Sequence, residues 1–298
     1  MKPRFQYGGQ AVIEGVMMRG RDCAATAVRK QDGTISLDMR DLDSSHRPAI
    51  LKLAFVRGTV MLIESLILGM QTLMWSANES SGEDEQLSGG EIALTLVVAL
   101  GLFILLFIVL PNVLVTMIQK RLNSVVLVNL IEGVLRVGIF LVYITVISSI
   151  KDIQRVFAYH GAEHKTIAAW EAGEALTVEN ARRHTTLHPR CGTSFLLIVM
   201  VVSILVYTLL GKQTLLMRIV SRIALLPVLA GISYELLKFS GRPNAPAVVR
   251  WMTAPGLALQ RLTTREPEDS MLEVAIASLT AVIEKDESRN SMVEGQSC

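Results

Sequence analysis

Residues 92–118, IALTLVVALGLFILLFIVLPNVLVTMI, run for 27 positions without a charged side chain. As an α-helix this stretch reaches about 40 Å, more than the ~30 Å hydrocarbon core of a bilayer. It reads as a membrane span, and the rest of the chain is organised around that reading.

Three further stretches qualify on length and apolarity. Val125 to Ile150 is nearly as apolar but carries Glu132 and Arg136, Thr193 to Gly211 is charge-free, and Leu215 to Leu237 carries Arg218, Arg222 and Glu235. Short turns, 119–124 and 212–214, join these stretches in pairs. The expected fold is therefore mainly α and polytopic, with about four transmembrane helices in two hairpins, a small N-terminal β-containing module and amphipathic helices. With four spans, both termini share a side with the middle loop, 151–192. That side carries ten Lys/Arg in residues 1–91, six in the middle loop and seven in 238–298, against Lys120, Arg121 and Lys212 on the other. The positive-inside rule places the termini and the middle loop in the cytoplasm of a multi-pass protein of the cell (inner or plasma) membrane.

Composition agrees with this class. The chain is 51% hydrophobic and 19% charged, with a mean hydropathy of +0.43, fewer charges than a soluble domain of 298 residues carries. A net charge of +2 and the absence of a basic run with interleaved aromatics argue against a nucleic-acid partner. Cys23, Cys191 and Cys298 are too few and too scattered for a disulfide framework. Residues 1–49 are mostly polar and contain no cleavable secretory signal. The bilayer itself is the one partner the composition names; it leaves the oligomeric state open.

The chain divides into an N-terminal module (1–49), membrane-associated helices (50–78), an acidic linker (79–91), the first hairpin (92–150), a His/Cys loop (151–192), the second hairpin (193–240) and a tail (241–298). In the module, Cys23 to Arg29 and Thr34 to Met39 flank Asp32-Gly33 and predict a β-hairpin. Glycines 8, 9, 15 and 20 predict tight turns, with Glu14 and Arg19 as candidate site residues; no Walker or G-x-G-x-x-G pattern supports nucleotide binding. Ile50 to Trp75 contains Lys52, Arg57 and Glu64, and is expected as one or two helices lying on, or dipping into, the cytoplasmic leaflet; the alternative is a fifth span, which would move the N-terminus outside. The tail begins with a Pro/Gly-rich stretch, Gly241 to Gly256. Ser270-x-x-Glu273 then predicts a capping box opening an amphipathic helix with an apolar stripe at Leu272, Ile276, Leu279 and Ile283. Within the spans, a buried Glu132 is expected to pair with Arg136 or Arg222.

Four of the five histidines fall in the middle loop. His160-Gly161-Ala162-Glu163-His164 is an H-x-x-E-H pattern, and on a helix its His and Glu residues are i, i+3 and i+4 neighbours. Two imidazoles one turn apart can chelate one metal ion, and a carboxylate beside them can act as ligand or general base. The order is that of inverse zinc proteases. His184-x-x-x-His188 repeats the spacing, although Pro189 favours extended backbone at His188, and Cys191 follows just before the third span. A Cys/His set suits Zn²⁺ first and Fe²⁺ second. The metal ligands expected are His160, His164, His188 and Cys191, with Glu163 as the catalytic proton carrier. Glu235, Glu171 and Glu64 are placed at the same depth.

Three stretches, residues 8–17, 159–167 and 187–195, together with the tail segment Leu262 to Pro267, resemble the YqhQ-like family of uncharacterised bacterial membrane proteins. The resemblance covers roughly residues 5 to 285. It implies a metal-dependent enzyme without an assigned substrate. His160, Glu163, His164, His188 and Cys191 match the family pattern, whereas His184 does not. The expected function is metal-dependent and hydrolytic, acting at the cytoplasmic face on a lipid-linked or membrane-protein substrate. The alternatives are a di-iron enzyme, which needs more ligands than the loop supplies, a non-catalytic scaffold with a structural Zn site, and a transporter.

Overall fold

A computed structural model of the chain describes residues 5–42, 56–82, 88–119, 124–211, 213–240 and 247–296, with Pro48, Leu53 and Leu122 besides. The start of the 50–75 stretch, the centre of the acidic linker, Lys120, Arg121, Lys212, residues 241–246 and Cys298 lie outside the described residues. The protein is mainly helical, with one small N-terminal antiparallel sheet.

The sheet has four strands in sequential order, β1 (Gly8–Val12), β2 (Gly15–Arg19), β3 (Cys23–Arg29) and β4 (Ile35–Asp41). The β3–β4 hairpin turns through Gly33, whose φ of 85° suits glycine. β1 and β2 lie where the sequence reading expected only turns. Their glycines sit in extended backbone, and Glu14 takes the left-handed turn position at φ 52°.

Side chains alternate across this sheet, so its two faces bind different helices. Val16, Met18, Cys23, Ala25 and Ala27 share a core with α5 (Lys151–Ala172) and α11 (Asp269–Gln296). Met17 and Ala24, on the opposite face, meet Leu68 of α1 (Val56–Ser80). The apolar stripe of α11 is seated as read: Leu272 and Leu279 are fully buried and Ile283 nearly so. The predicted capping box is not formed. The helix starts at Asp269, so Ser270 lies inside it, and Arg29 takes both the Ser270 carbonyl oxygen and the Glu273 carboxylate, each at 2.7 Å. A capping box does form at Ser88-x-x-Glu91, opening α2 (Gly89–Ile104).

Among the described residues, three helices are long and apolar enough to cross a membrane: Val56–Ser80, Gly89–Gln119 and Val125–Ile147. The first of these is one continuous helix over most of the stretch expected to lie along the leaflet. Its beginning packs on α9 (Leu226–Ser240), where Arg57 forms a bidentate pair with Glu235 at 2.6–2.7 Å. Its later turns lie under the sheet. The third expected span is shorter than read, α7 (Gly192–Thr208). The fourth is α8 (Leu215–Ala224) and α9 meeting at a 46° bend, and counted together they make a fourth candidate span. The break falls just before Pro227, whose ring and missing N–H disfavour a straight helix. The Pro/Gly-rich stretch after it is helical from Ala247, as α10 (Ala247–Thr263), with Pro255 inside.

The helix Gly89–Gln119 is α2, a π-helical turn (Leu105–Val109) and α3 (Leu110–Gln119). Pro111 has no N–H to offer the Phe107 carbonyl, and the π turn accommodates the missing bond. That carbonyl accepts instead from Arg136 Nε, 3.2 Å away on α4 (Val125–Ile147). Arg136 also donates to Glu132 at 2.8 Å, and Arg222 of α8 grips the same carboxylate with two bonds of 3.1 and 2.8 Å. Glu132 thus pairs with both expected arginines. The Arg222 guanidinium stacks 4.0 Å above the Tyr207 ring. Breaking a buried pair strands a charge, so Glu132→Gln should lower stability by about 3–5 kcal/mol. In a double-mutant cycle with Arg222→Gln, followed by denaturation in detergent, the two losses should sum to more than the double variant loses. Simple additivity would contradict the shared carboxylate.

Candidate metal centre

Helix α5 carries the H-x-x-E-H pattern between two surroundings. Its Ala158, Tyr159, Ala162 and Ile167 enter the core shared with the sheet and α11. Its histidines point the other way, toward the loop before α7. Gly161 lets the two sides meet, because a Cβ there would stand 2.0 Å from the Arg265 carbonyl oxygen. Arg265 N–H in turn donates to the Phe157 carbonyl at 2.9 Å. The helix stops at Gly173, which adopts the left-handed C-cap conformation at φ 82°.

The rings of His160 and His164 lie 4.4 Å apart, as one helical turn requires. His160 Nδ1 contacts the Thr263 carbonyl oxygen at 2.8 Å, and His164 Nδ1 contacts that of Thr186 at 2.5 Å. A carbonyl only accepts, so both Nδ1 atoms carry the proton and both Nε2 atoms present a lone pair when the rings are neutral. His160 Nε2 lies 3.1 Å from Cys191 Sγ, and His164 Nε2 is buried without a hydrogen-bond partner among the described residues. The ligand atoms of His160, His164 and Cys191 all lie within 4.8 Å of one another. Cys191 is the N-cap of α7, where the helix dipole favours an anion. Two oriented imidazole lone pairs and a thiol around an unsatisfied buried nitrogen are a donor set that fits a divalent metal.

His188 stands beside this trio. Its ring centroid is 5.6 Å from that of His164, and its Nε2 is 3.4 Å from Glu171, which also pairs with Arg190. Glu163 is turned toward β1, where the Gly9 N–H bonds it and a Cβ on Gly9 would come within 3.1 Å of its carboxyl carbon. Burial pushes the Glu163 carboxyl above its ordinary value, against the opposing pull of His160 and His188. Burial likewise holds His164 and His188 below the usual imidazole range. Of the other carboxylates expected at this depth, Glu171 joins the site, whereas Glu235 binds Arg57 and Glu64 binds Arg19. His184 lies apart, 3.1 Å from Glu174, and Glu14 pairs with Arg155.

Sequence reasoning missed the groups that orient the histidines. Gln260, fully buried in α10, accepts from the His188 N–H and donates to the His188 carbonyl, both at 2.8 Å. It clamps the loop as a neighbouring strand would. The Thr263 carbonyl belongs to the Leu262–Pro267 segment, whose family resemblance was the available signal for it.

These shifts set opposite pH dependences for the metal-free protein. Glu163, with its folded-state pKa raised, contributes stability below its unfolded value of about 4.3, and loses it as pH rises through the folded pKa. His164 and His188, with theirs lowered, contribute above about 6.5 and lose it as pH falls through the folded pKa. In metal-free protein, Glu163→Gln should therefore melt higher than wild type at pH 8, with the gap closing toward pH 4. A variant melting lower at pH 8 would show that the folded protein favours the charged carboxylate.

Residues 53–285 match the family described as "Protein of unknown function (DUF1385)". The chain is 37% identical over 295 residues to "Uncharacterized protein YqhQ" of Bacillus subtilis (strain 168), covering 93% of this chain and 92% of that protein. No solved structure matches it. With most of its length inside the match and a relative similar almost from end to end, this chain belongs to the DUF1385 family.

Proposed function

We infer that this chain is an integral membrane protein that holds a divalent metal, Zn²⁺ before Fe²⁺, at the cytoplasmic end of its helical bundle. We further infer that it uses the metal to hydrolyse a lipid-linked or membrane-protein substrate. The observation that carries this reading is the convergence of His160 Nε2, His164 Nε2 and Cys191 Sγ, with both Nδ1 atoms anchored on backbone carbonyls. Three protein ligands leave a position open, which is the arrangement of catalytic rather than structural zinc sites. A bound Zn²⁺ would supply Lewis acidity and a water acidified to about neutral pH. The protein's own contribution lies around it. Thr263 and Thr186 fix the imidazole tautomers, Gln260 holds the loop, and buried Glu163, tethered by Gly9, holds or moves a proton at its carboxylate. The H-x-x-E-H helix packs on the sheet and α11 and turns its histidines to the loop that leads into α7, which suits a substrate arriving from the membrane surface.

A structural zinc knot is the second reading, favoured by His188 standing 5.6 Å from His164 as a prospective fourth ligand. Two variants separate these readings. His164→Ala should lose the metal, read by elemental analysis of purified protein, and fail to complement a deletion strain. Glu163→Gln should keep the metal and also fail to complement. Full complementation by Glu163→Gln would leave the knot standing, and wild-type protein that binds no stoichiometric metal would remove both readings.

The orientation rests on the Lys/Arg asymmetry of the sequence. Taking α2 with α3, α4, the shorter α7, and α8 with α9 as the four spans expected from the sequence puts the sheet, α5 and α11 in the cytoplasm, with α1 bridging the bundle and the sheet. A cysteine introduced as His184→Cys, in a Cys298→Ser background, should resist an impermeant maleimide in intact cells and react after permeabilisation. Labelling in intact cells would reverse the orientation.

A further inference from the structure

The buried charges of the bundle do not balance. Glu132 is shared by Arg136 and Arg222, whereas Arg218, 4% exposed, forms no ion pair among the described residues. Its Nη2 donates to Gln119 Oε1 at 2.8 Å, but its Nη1 is buried with no hydrogen-bond partner among the described residues. Arg218 lines a cavity of about 210 Å³, together with Gln119, Ser124, Val125 and Gln213. The neighbouring polar groups are biased the same way. Gln119 Oε1 is occupied by Arg218, and Gln213 Oε1 by Ser221 and Arg222, which leaves both amide NH₂ groups as donors for a further acceptor.

Backbone electrostatics add to the excess. α4 starts at Val125 behind its N-cap Ser124, and α8 starts at Leu215 behind Thr214, so two helix N-termini meet at this end of the bundle. Arg218 sits in the opening turns of α8, where the dipole is positive and a cation is unfavourable unless an anion accompanies it. The carboxylate nearby, Glu132, is already held by Arg136 and Arg222, and residues 92–131 and 193–234 contain no Asp or Glu. The Nη1 of a buried guanidinium, two amide donors and two helix N-termini around one small cavity match the oxygens of a phosphate group.

We propose that this cavity binds a phosphate group, either that of a phospholipid headgroup or free phosphate. The site is separate from the metal centre. α7 runs 17 residues between them, from Cys191 at one end toward Gly211 at the other, about 25 Å.

The full-length protein, delipidated in detergent and free of phosphate, would be melted during titration with phosphatidylglycerol mixed micelles, inorganic phosphate or uncharged diacylglycerol micelles. A saturable rise in melting temperature with phosphatidylglycerol alone assigns the site to a lipid headgroup, and a rise with inorganic phosphate as well assigns it to the free anion. Arg218→Gln should weaken the apparent affinity by about tenfold or more, the loss expected for a charge-assisted bond. Gln213→Glu guards against a variant that merely fails to fold. By supplying a carboxylate within the cavity it should raise the melting temperature without ligand and abolish the response to phosphate. No response to either phosphate source, a response equalled by diacylglycerol, or an unchanged response in both variants would overturn the proposal.

Discussion

The carbonyl oxygens of Thr186 and Thr263 fix Nδ1 of His164 and His160, and because a carbonyl can only accept, they decide which nitrogens face Cys191. Much of the surrounding architecture serves to hold those two carbonyls in place. Thr263 closes α10, whose Gln260 grips the loop backbone at His188, and Thr186 lies in the connection that Lys165 and Thr264 also reach. α5 can present its histidines to this framework because its opposite face is packed into the sheet and α11. The site is thus preorganised by backbone geometry contributed by three separate parts of the chain.

Segments whose own pattern decides their structure were legible in the sequence. The charge-free stretch from Ile92, the Asp32-Gly33 hairpin, the stripe of α11 and the His160/His164 pair follow from local spacing. Other features depend on distant partners. β1 and β2 look like a run of turns because glycine carries no side chain to show a strand's alternation, and their pairing supplies the evidence instead. α10 passes through Pro255-Gly256, a dipeptide that locally argues for a break; packing against α7 and α4, with Leu259 and Gln260 buried, overrides it. Ser88 and Ser270 both open an S-x-x-E pattern, but Arg29 claims the second, so tertiary contacts chose between two equal local signals.

Charged side chains on α1 find partners within the fold: Arg57 faces Glu235 of α9, and Glu64 faces Arg19 of β2. A charged group paired within the fold does not need to lie at a water interface. The same holds for Glu132, whose cost inside an apolar bundle is offset by two guanidiniums and the Tyr207 ring.

The sheet built from residues 8–41 finds its main helical cover in α11, and contacts such as Ser278 to the Ala25 carbonyl join positions 253 residues apart. During synthesis the strands emerge long before α11, and their inner face stays uncovered until that helix leaves the ribosome. Contacts of such sequence separation form slowly, and an open antiparallel sheet with an apolar face is prone to wrong pairings in the interval. The apolar helices between the two ends can meanwhile associate with one another and with α1. The layered unit, and with it the fixed orientation of α5, is completed only with α11, so the geometry of the His160, His164 and Cys191 cluster matures only once that helix has been made.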